Sequence, residues 1–216
     1  MKLLAALALT LGLLATAASA QTRLPLTREQ ALTQIKSEDV DLRRQGAAWL
    51  GELGVPADAP LLIAALTDPD EVVRVLAESS VWQVWTRSGD KEVDGLMQAG
   101  IEQMNRGDGP GAVETFTQII QRKPDFAEGW NKRATVYFLL GENEKSLHDC
   151  DEVMKRNPAH FGALAGYGQI YLRMDQPERA LTYFRRALRI NPNMRGIQQV
   201  IPEIEQLLTE RRKGTI

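Results

Sequence analysis

Apolar residues recur along this chain at three- and four-residue intervals, the spacing that places them on one face of an α-helix. In the second half the pattern itself repeats. Pro124, Pro158 and Pro192 fall 34 residues apart, and the segments beginning at Val93, Ala127 and Phe161 agree slot by slot. The fourth slots are bulky (Leu96, Trp130, Leu164) and the eighth small (Gly100, Ala134, Gly168). Further on, Ala112, Ser146 and Ala180 correspond, as do Phe116, Cys150 and Phe184, and Ile119, Val153 and Ala187. A fixed period of this length predicts stacked helical hairpins, because a single hairpin cannot bury its apolar face alone. The predicted helices run over 92–105 and 110–121, 127–140 and 143–155, and 161–174 and 177–189. Asp108-Gly109-Pro110 and Asp175-Gln176-Pro177 supply turn and helix-start signals.

Ahead of this block a weaker self-similarity of 31 residues pairs Leu42-Arg43 with Val73-Arg74, Gly46 with Ala77, and Leu50 with Val81. It predicts helices over 28–36, 40–51, 59–66 and 71–86, the first opened by a capping box at Thr27-Arg28-Glu29-Gln30. In Asp68-Pro69-Asp70-Glu71-Val72-Val73-Arg74 the acids cap a helix start, and the arginine one turn in is expected to reach one of them. These units resemble HEAT-like repeats. After Pro192, the residues Ile197, Val200, Ile201, Ile204, Leu207 and Leu208 form one apolar stripe, which predicts a closing helix, with a kink or restart at Pro202. Trp82 and Trp85 share a helix face just before Ser88-Gly89-Asp90. They are expected to pack at an end-to-end joint there, together with Trp49, so that the two kinds of hairpin form one rod.

The block from Val93 to Pro192 resembles the tetratricopeptide repeat (TPR) family. The resemblance implies an all-α fold, a right-handed superhelix of helical hairpins, here preceded by HEAT-like hairpins. The expected division is 1–20 leader, 21–90 HEAT-like hairpins, 91–192 three TPR units (93–126, 127–160 and 161–194 by period) and 195–216 capping helix and tail. It further implies a concave groove lined by the first helix of each unit, binding another protein or a peptide. The candidate groove residues are Met97, Ile101, Asn131, Lys132, Thr135, Phe138, Gln169 and Arg173. Methionine and phenylalanine offer adaptable apolar contact, and the amides and cations can hydrogen-bond a peptide backbone or an acid. TPR domains that hold chaperone carboxyl termini resemble one another in a basic and amide clamp. Its slots are occupied here by Met97, Ile101, Gly162 and Gly166, so that ligand is not expected.

Composition changes little in this picture. The chain has 216 residues with a net charge of −2, and no basic excess recommends nucleic acid. Met1 to Ala20 carries Lys2, an apolar run from Leu3 to Leu14, and Ala18-Ser19-Ala20, the features of a secretory leader cleaved after Ala20. The run is too short to span a bilayer as an anchor. The expected location is a bacterial periplasm, with no stable membrane insertion after cleavage. Cys150 is the single cysteine, which permits no internal disulfide and is expected in the core. His148 and Cys150, two apart on a helix, project to different sides and make no nucleophile–base pair. His160 is expected in a solvated turn. Gly107-Asp108-Gly109-Pro110-Gly111 lacks the ending of a phosphate loop. No catalytic constellation, cofactor site or metal site is expected; a scaffold or adaptor is the reading, and its rivals are a self-assembling structural component of an envelope complex, a homo-oligomer, or an enzyme with an unrecognised site.

Overall fold

The computed structural model describes residues 27–214; the leader and its cleavage position lie outside the described residues. Among these, all regular structure is helical: α1 (Arg28–Gln34), α2 (Val40–Leu53), α3 (Ala59–Ala64), α4 (Glu71–Trp85), α5 (Lys91–Asn105), α6 (Gly109–Arg122), α7 (Ala127–Leu139), α8 (Asn143–Arg156), α9 (Phe161–Arg173), α10 (Pro177–Ile190) and α11 (Arg195–Arg212). Every helix expected ahead of Pro192 forms, with ends displaced by no more than two residues. Thr27 and Gln30 make the reciprocal capping box of α1, and Asp39, Asp70, Asp90 and Asp108 each cap the helix that follows them. These carboxylates satisfy amides that have no partner within the first turn.

The 34-residue period is written into the turns. Gly107, Gly141 and Asp175 all have positive φ, and each is followed by an amide that reaches back over the helix end. Asp108 donates to Gln103, Glu142 to Tyr137 and Gln176 to Tyr171 at 2.8–2.9 Å. The small eighth slots have an equally specific cause. A Cβ on Gly100 would sit 2.5 Å from the Phe116 ring, and one on Gly168 2.4 Å from Phe184, so glycine lets the two helices of each hairpin close on a phenylalanine. Helix α11 stands at the position of the first helix of a fourth unit. Its eighth slot is Pro202, which lies inside a continuous helix, so the expected restart does not occur. Pro202 and Gln198, whose carbonyl loses its amide partner, are both exposed, and water can take the missing bond.

In the N-terminal hairpins the 31-residue repeat recurs atom for atom. Arg43 donates to the Ser37 and Glu38 carbonyls, and Arg74 to the Asp68 and Pro69 carbonyls. The acids of the Asp68-Pro69-Asp70 turn are held not by Arg74 but by the preceding unit: Arg43 pairs with Asp68 at 2.7 Å and Arg44 with Asp70 at 2.6 Å. Where Arg43 meets Asp68, Arg74 meets Asn193 at 3.2 Å. The loop between α10 and α11 therefore occupies the place that a third N-terminal hairpin would take.

That loop shows that the expected rod, jointed at Ser88–Asp90, does not form. The N-terminal helices turn back along the row of loops between repeats. Asn193 donates to the Leu66 carbonyl at 2.8 Å, Asn191 to Glu78 at 2.9 Å, and Arg195 to Glu71 at 2.9 Å. Trp82 and Trp85 do join the two modules, but against the third unit: both rings pack on Phe161 with centroids 5.1 Å apart. The N-terminal core of Leu50, Leu62, Leu66, Ala77, Val81 and Trp85 accordingly includes Phe161, with Ile190 and Met194 against it. The first unit, adjacent in sequence, has a separate core around Val93, Phe116 and Ile119. The physical reason is the five-residue connection Thr86–Asp90, with Gly89 at φ 76, which reverses direction where a helical stack would continue.

Candidate functional site

The first helices of the units pack side by side, α5 on α7 and α7 on α9, and their inward slots form the candidate groove. Asn131, Thr135 and Phe138 of α7 meet Gln169 of α9 around a small cavity of about 50 Å³, floored by Gly162, Gly166 and Cys150. On the far side of Gln169 a second cavity of about 580 Å³ opens between α9 and α11, lined by Ala165, Leu172, Phe184, Ile197 and Val200. Gln169 is exposed and its amide makes no hydrogen bond to the described residues, so it faces both cavities with donor and acceptor open to a ligand. Thr135 donates to the Asn131 carbonyl at 3.0 Å. Arg173 stacks on Phe138, its guanidinium 3.6 Å from the ring centroid, and donates to the Phe138 carbonyl. This covers the phenylalanine with a cation at the groove's end.

Three expected groove positions are otherwise employed. Met97 is 3% exposed and packs among Val93, Phe116 and Val136, because α7 leans on α5 at that slot; it is a core residue and offers no contact. Ile101 is half-buried against the same cluster. Lys132 pairs with the buried Glu128 at 3.0 Å and lies 5.9 Å from the Trp82 ring centroid, so its charge is already answered.

Glu128 sits at the centre of a network that sequence reasoning missed. It is 1% exposed and accepts from Asn131 Nδ2 at 2.9 Å and from His160 Nε2 at 3.0 Å, besides the lysine. His160 is fully buried, not solvated: its Nδ1 accepts the Ala163 amide at 3.0 Å, capping α9, and its ring stacks on Trp85 at 4.3 Å. The cap fixes the tautomer, leaving Nε2 as the donor to Glu128. Burial pushes the Glu128 carboxyl up, but Lys132, His160 and Asn131 outweigh it and hold it at about 2. Cys150 is 2% exposed, and burial pushes its thiol up to about 12, so it is an apolar floor and not a nucleophile. Among the described residues, no group of three or more His, Cys, Asp or Glu is placed to hold a metal.

One end of the groove is closed by α4. A Cβ on Gly162 would lie 2.3 Å from Trp82, and Glu78 enters the wall of the larger cavity. The signal was present in the sequence: at the second slot unit two has Glu128, whereas unit three has Gly162, a vacancy that another side chain fills.

Hairpins repeating every 34 residues, followed by one further helix and presenting a side-chain-lined groove, define a helical-repeat protein. The chain belongs to the tetratricopeptide repeat family. Family models described as tetratricopeptide repeat match residues 97–153 and 161–194. A TPR repeat-containing protein of Rhizobium etli is 32% identical over 145 residues, covering 67% of this chain and 70% of that protein. Hsp70-Hsp90 organizing protein 1 of Glycine max is 25% identical over 120 residues, 54% of this chain but 21% of its own length. Among solved structures, the Sgt2 TPR domain of Aspergillus fumigatus superposes with a TM-score of 0.55 at 19% identity, covering 59% of this chain and 85% of that one. The first TPR of Spaghetti, bound to the HSP90 peptide SRMEEVD, gives 0.53 at 21% identity, covering 55% and 94%. These likenesses show the fold.

Proposed function

We propose that this chain is a non-enzymatic scaffold or adaptor of the bacterial periplasm that holds a peptide or protein segment in the groove between α7, α9 and α11. The observation that carries the reading is the pair of cavities meeting at Gln169. An unpaired amide flanked by apolar walls suits an extended or helical segment that needs its backbone recognised and its side chains buried. Related repeat domains that hold peptides, including the Spaghetti domain with its HSP90 peptide, support the same class of ligand. The acidic chaperone tail is not that ligand here: of the clamp slots, Met97 is core and Gly162 lies beneath Trp82. In this reading the N-terminal hairpins are HEAT-like units that wall the groove, and Met1 to Ala20 directs export.

A photo-crosslinking side chain at Gln169 of the full-length protein, expressed in its own host, is expected to give discrete adducts that the same group at exposed Arg189 does not. Equal adducts from both positions, or none from Gln169, would exclude the groove. Release of the protein with the periplasmic fraction is expected in the same cells, and retention in spheroplasts would refute export.

A further inference from the structure

The composite wall of the larger cavity carries one carboxylate, Glu78, and one guanidinium, Arg195. Glu78, on α4 outside the repeats, accepts from the neutral Asn191 Nδ2 at 2.9 Å, and among the described residues no cation lies within 4 Å of its carboxylate. The arginines beside it are committed elsewhere. Arg195 pairs with Glu71, while Arg74 holds the Asp68 and Pro69 carbonyls and Asn193. Glu203 stands on α11 at the slot equivalent to Gln169 of α9, exposed and without an ion pair. On the opposing side Lys132 is neutralised by Glu128 and Arg173 is spread over Phe138. Beside Glu78 the floor of the cavity is apolar: Ala165, Leu172, Phe184, Ile197 and Val200. A half-buried carboxylate with one neutral donor and an apolar neighbour gains most from an ammonium or guanidinium.

We infer that the groove's occupant is an apolar peptide segment carrying a basic side chain, lysine or arginine, that pairs with Glu78, so that the binding site is built jointly from the repeats and the N-terminal module. This rests on the groove reading above and adds the ligand's charge. It also inverts the charge of the peptide seen on the Spaghetti domain, whose sequence SRMEEVD contains three acids.

A random-peptide library displayed on phage, selected against the protein from Gln21 to Ile216, tests both layers. Selected peptides are expected to be apolar with an enriched lysine or arginine. Their synthetic forms should lose about tenfold in affinity for Glu78→Gln, a change that keeps the Asn191 bond and leaves the melting temperature near that of the parent. Replacing the peptide's basic residue by glutamine should cost as much, and the two losses should not add. Peptides without basic enrichment, or equal binding to Glu78→Gln, overturn the inference while leaving the groove intact. Gln169→Trp, at an exposed position, blocks both cavities. If selected peptides bind that variant unchanged, or none can be selected, the groove reading fails and the inference with it.

Discussion

Glu128 has the most consequential single side chain in the fold, because three donors, Asn131, Lys132 and His160, converge on one buried carboxylate. Its ordinary value of about 4.5 falls to about 2. A carboxyl depressed on folding stabilises the native state above its unfolded value, and that contribution is lost as pH falls through the folded one. The parent protein is therefore expected to lose stability between about pH 4.5 and pH 2, and Glu128→Gln to flatten the melting temperature across that window. At pH 7 the same change should cost roughly 3–5 kcal/mol in urea unfolding, since it strips a buried ion pair of one partner. An unchanged pH slope in the variant would show that the half-buried pairs of Asp70 and Glu152, also held at about 2, govern the acid limb. None of this was readable at the residue. His160 looks like a loop histidine in sequence, and only the approach of Trp85 from a distant helix buries it.

Among the elements, the turn inside each repeat was legible for a chemical reason. Gly107 and Gly141 supply a left-handed residue at no steric cost, and the period carries the expectation to Asp175. There the same bonds form around an aspartate at φ 56. Asp175→Gly is expected to raise stability by about 0.5–1 kcal/mol, less the exposed ion pair with Arg211, whose worth is small; chemical denaturation decides it, and a destabilised variant would mean that the ion pair outweighs the strain. Helix α11 was legible as an element and misread at Pro202. Periodicity reports which face is apolar, but not whether a partner helix exists to make an interior proline intolerable. At a slot facing water the lost hydrogen bond is replaced, and the helix continues.

For the whole molecule, the repeat count and hairpin pairing followed from period alone, since neighbours in sequence are neighbours in a solenoid. The return of α4 onto α9 and α11 did not, because a five-residue connection encodes no direction that periodicity can reveal. Of two helical glycines, Gly162 touches the returning α4 and Gly95 touches nothing. Gly162→Ala puts a methyl 2.3 Å from Trp82, and a loss of about 1–3 kcal/mol is expected from overpacking. Gly95→Ala, where a Cβ meets nothing within 4 Å, should gain up to about 1 kcal/mol from helix propensity. Equal, small effects in thermal unfolding would contradict the contact. The groove residues divide along the same line: Asn131, Thr135, Phe138 and Gln169 come together as the slots imply, while Glu78 and Trp82 enter from a helix that the period does not describe.

The loop from Asn191 to Asn193, which stands where another N-terminal hairpin would stack, also sets an order of events in time. Its bonds to Glu78 and Leu66 join residues 113 and 127 apart. During synthesis at about 5–20 residues per second, the early helices wait on the order of 6–25 s for that loop to exist. Through the first part of that interval, until His160 and Phe161 are made, the side of α4 bearing Trp82 has no repeat to rest on. The nascent chain thus passes through a stage in which its first helices are made but uncovered, and the loop between α10 and α11 is the one that closes them.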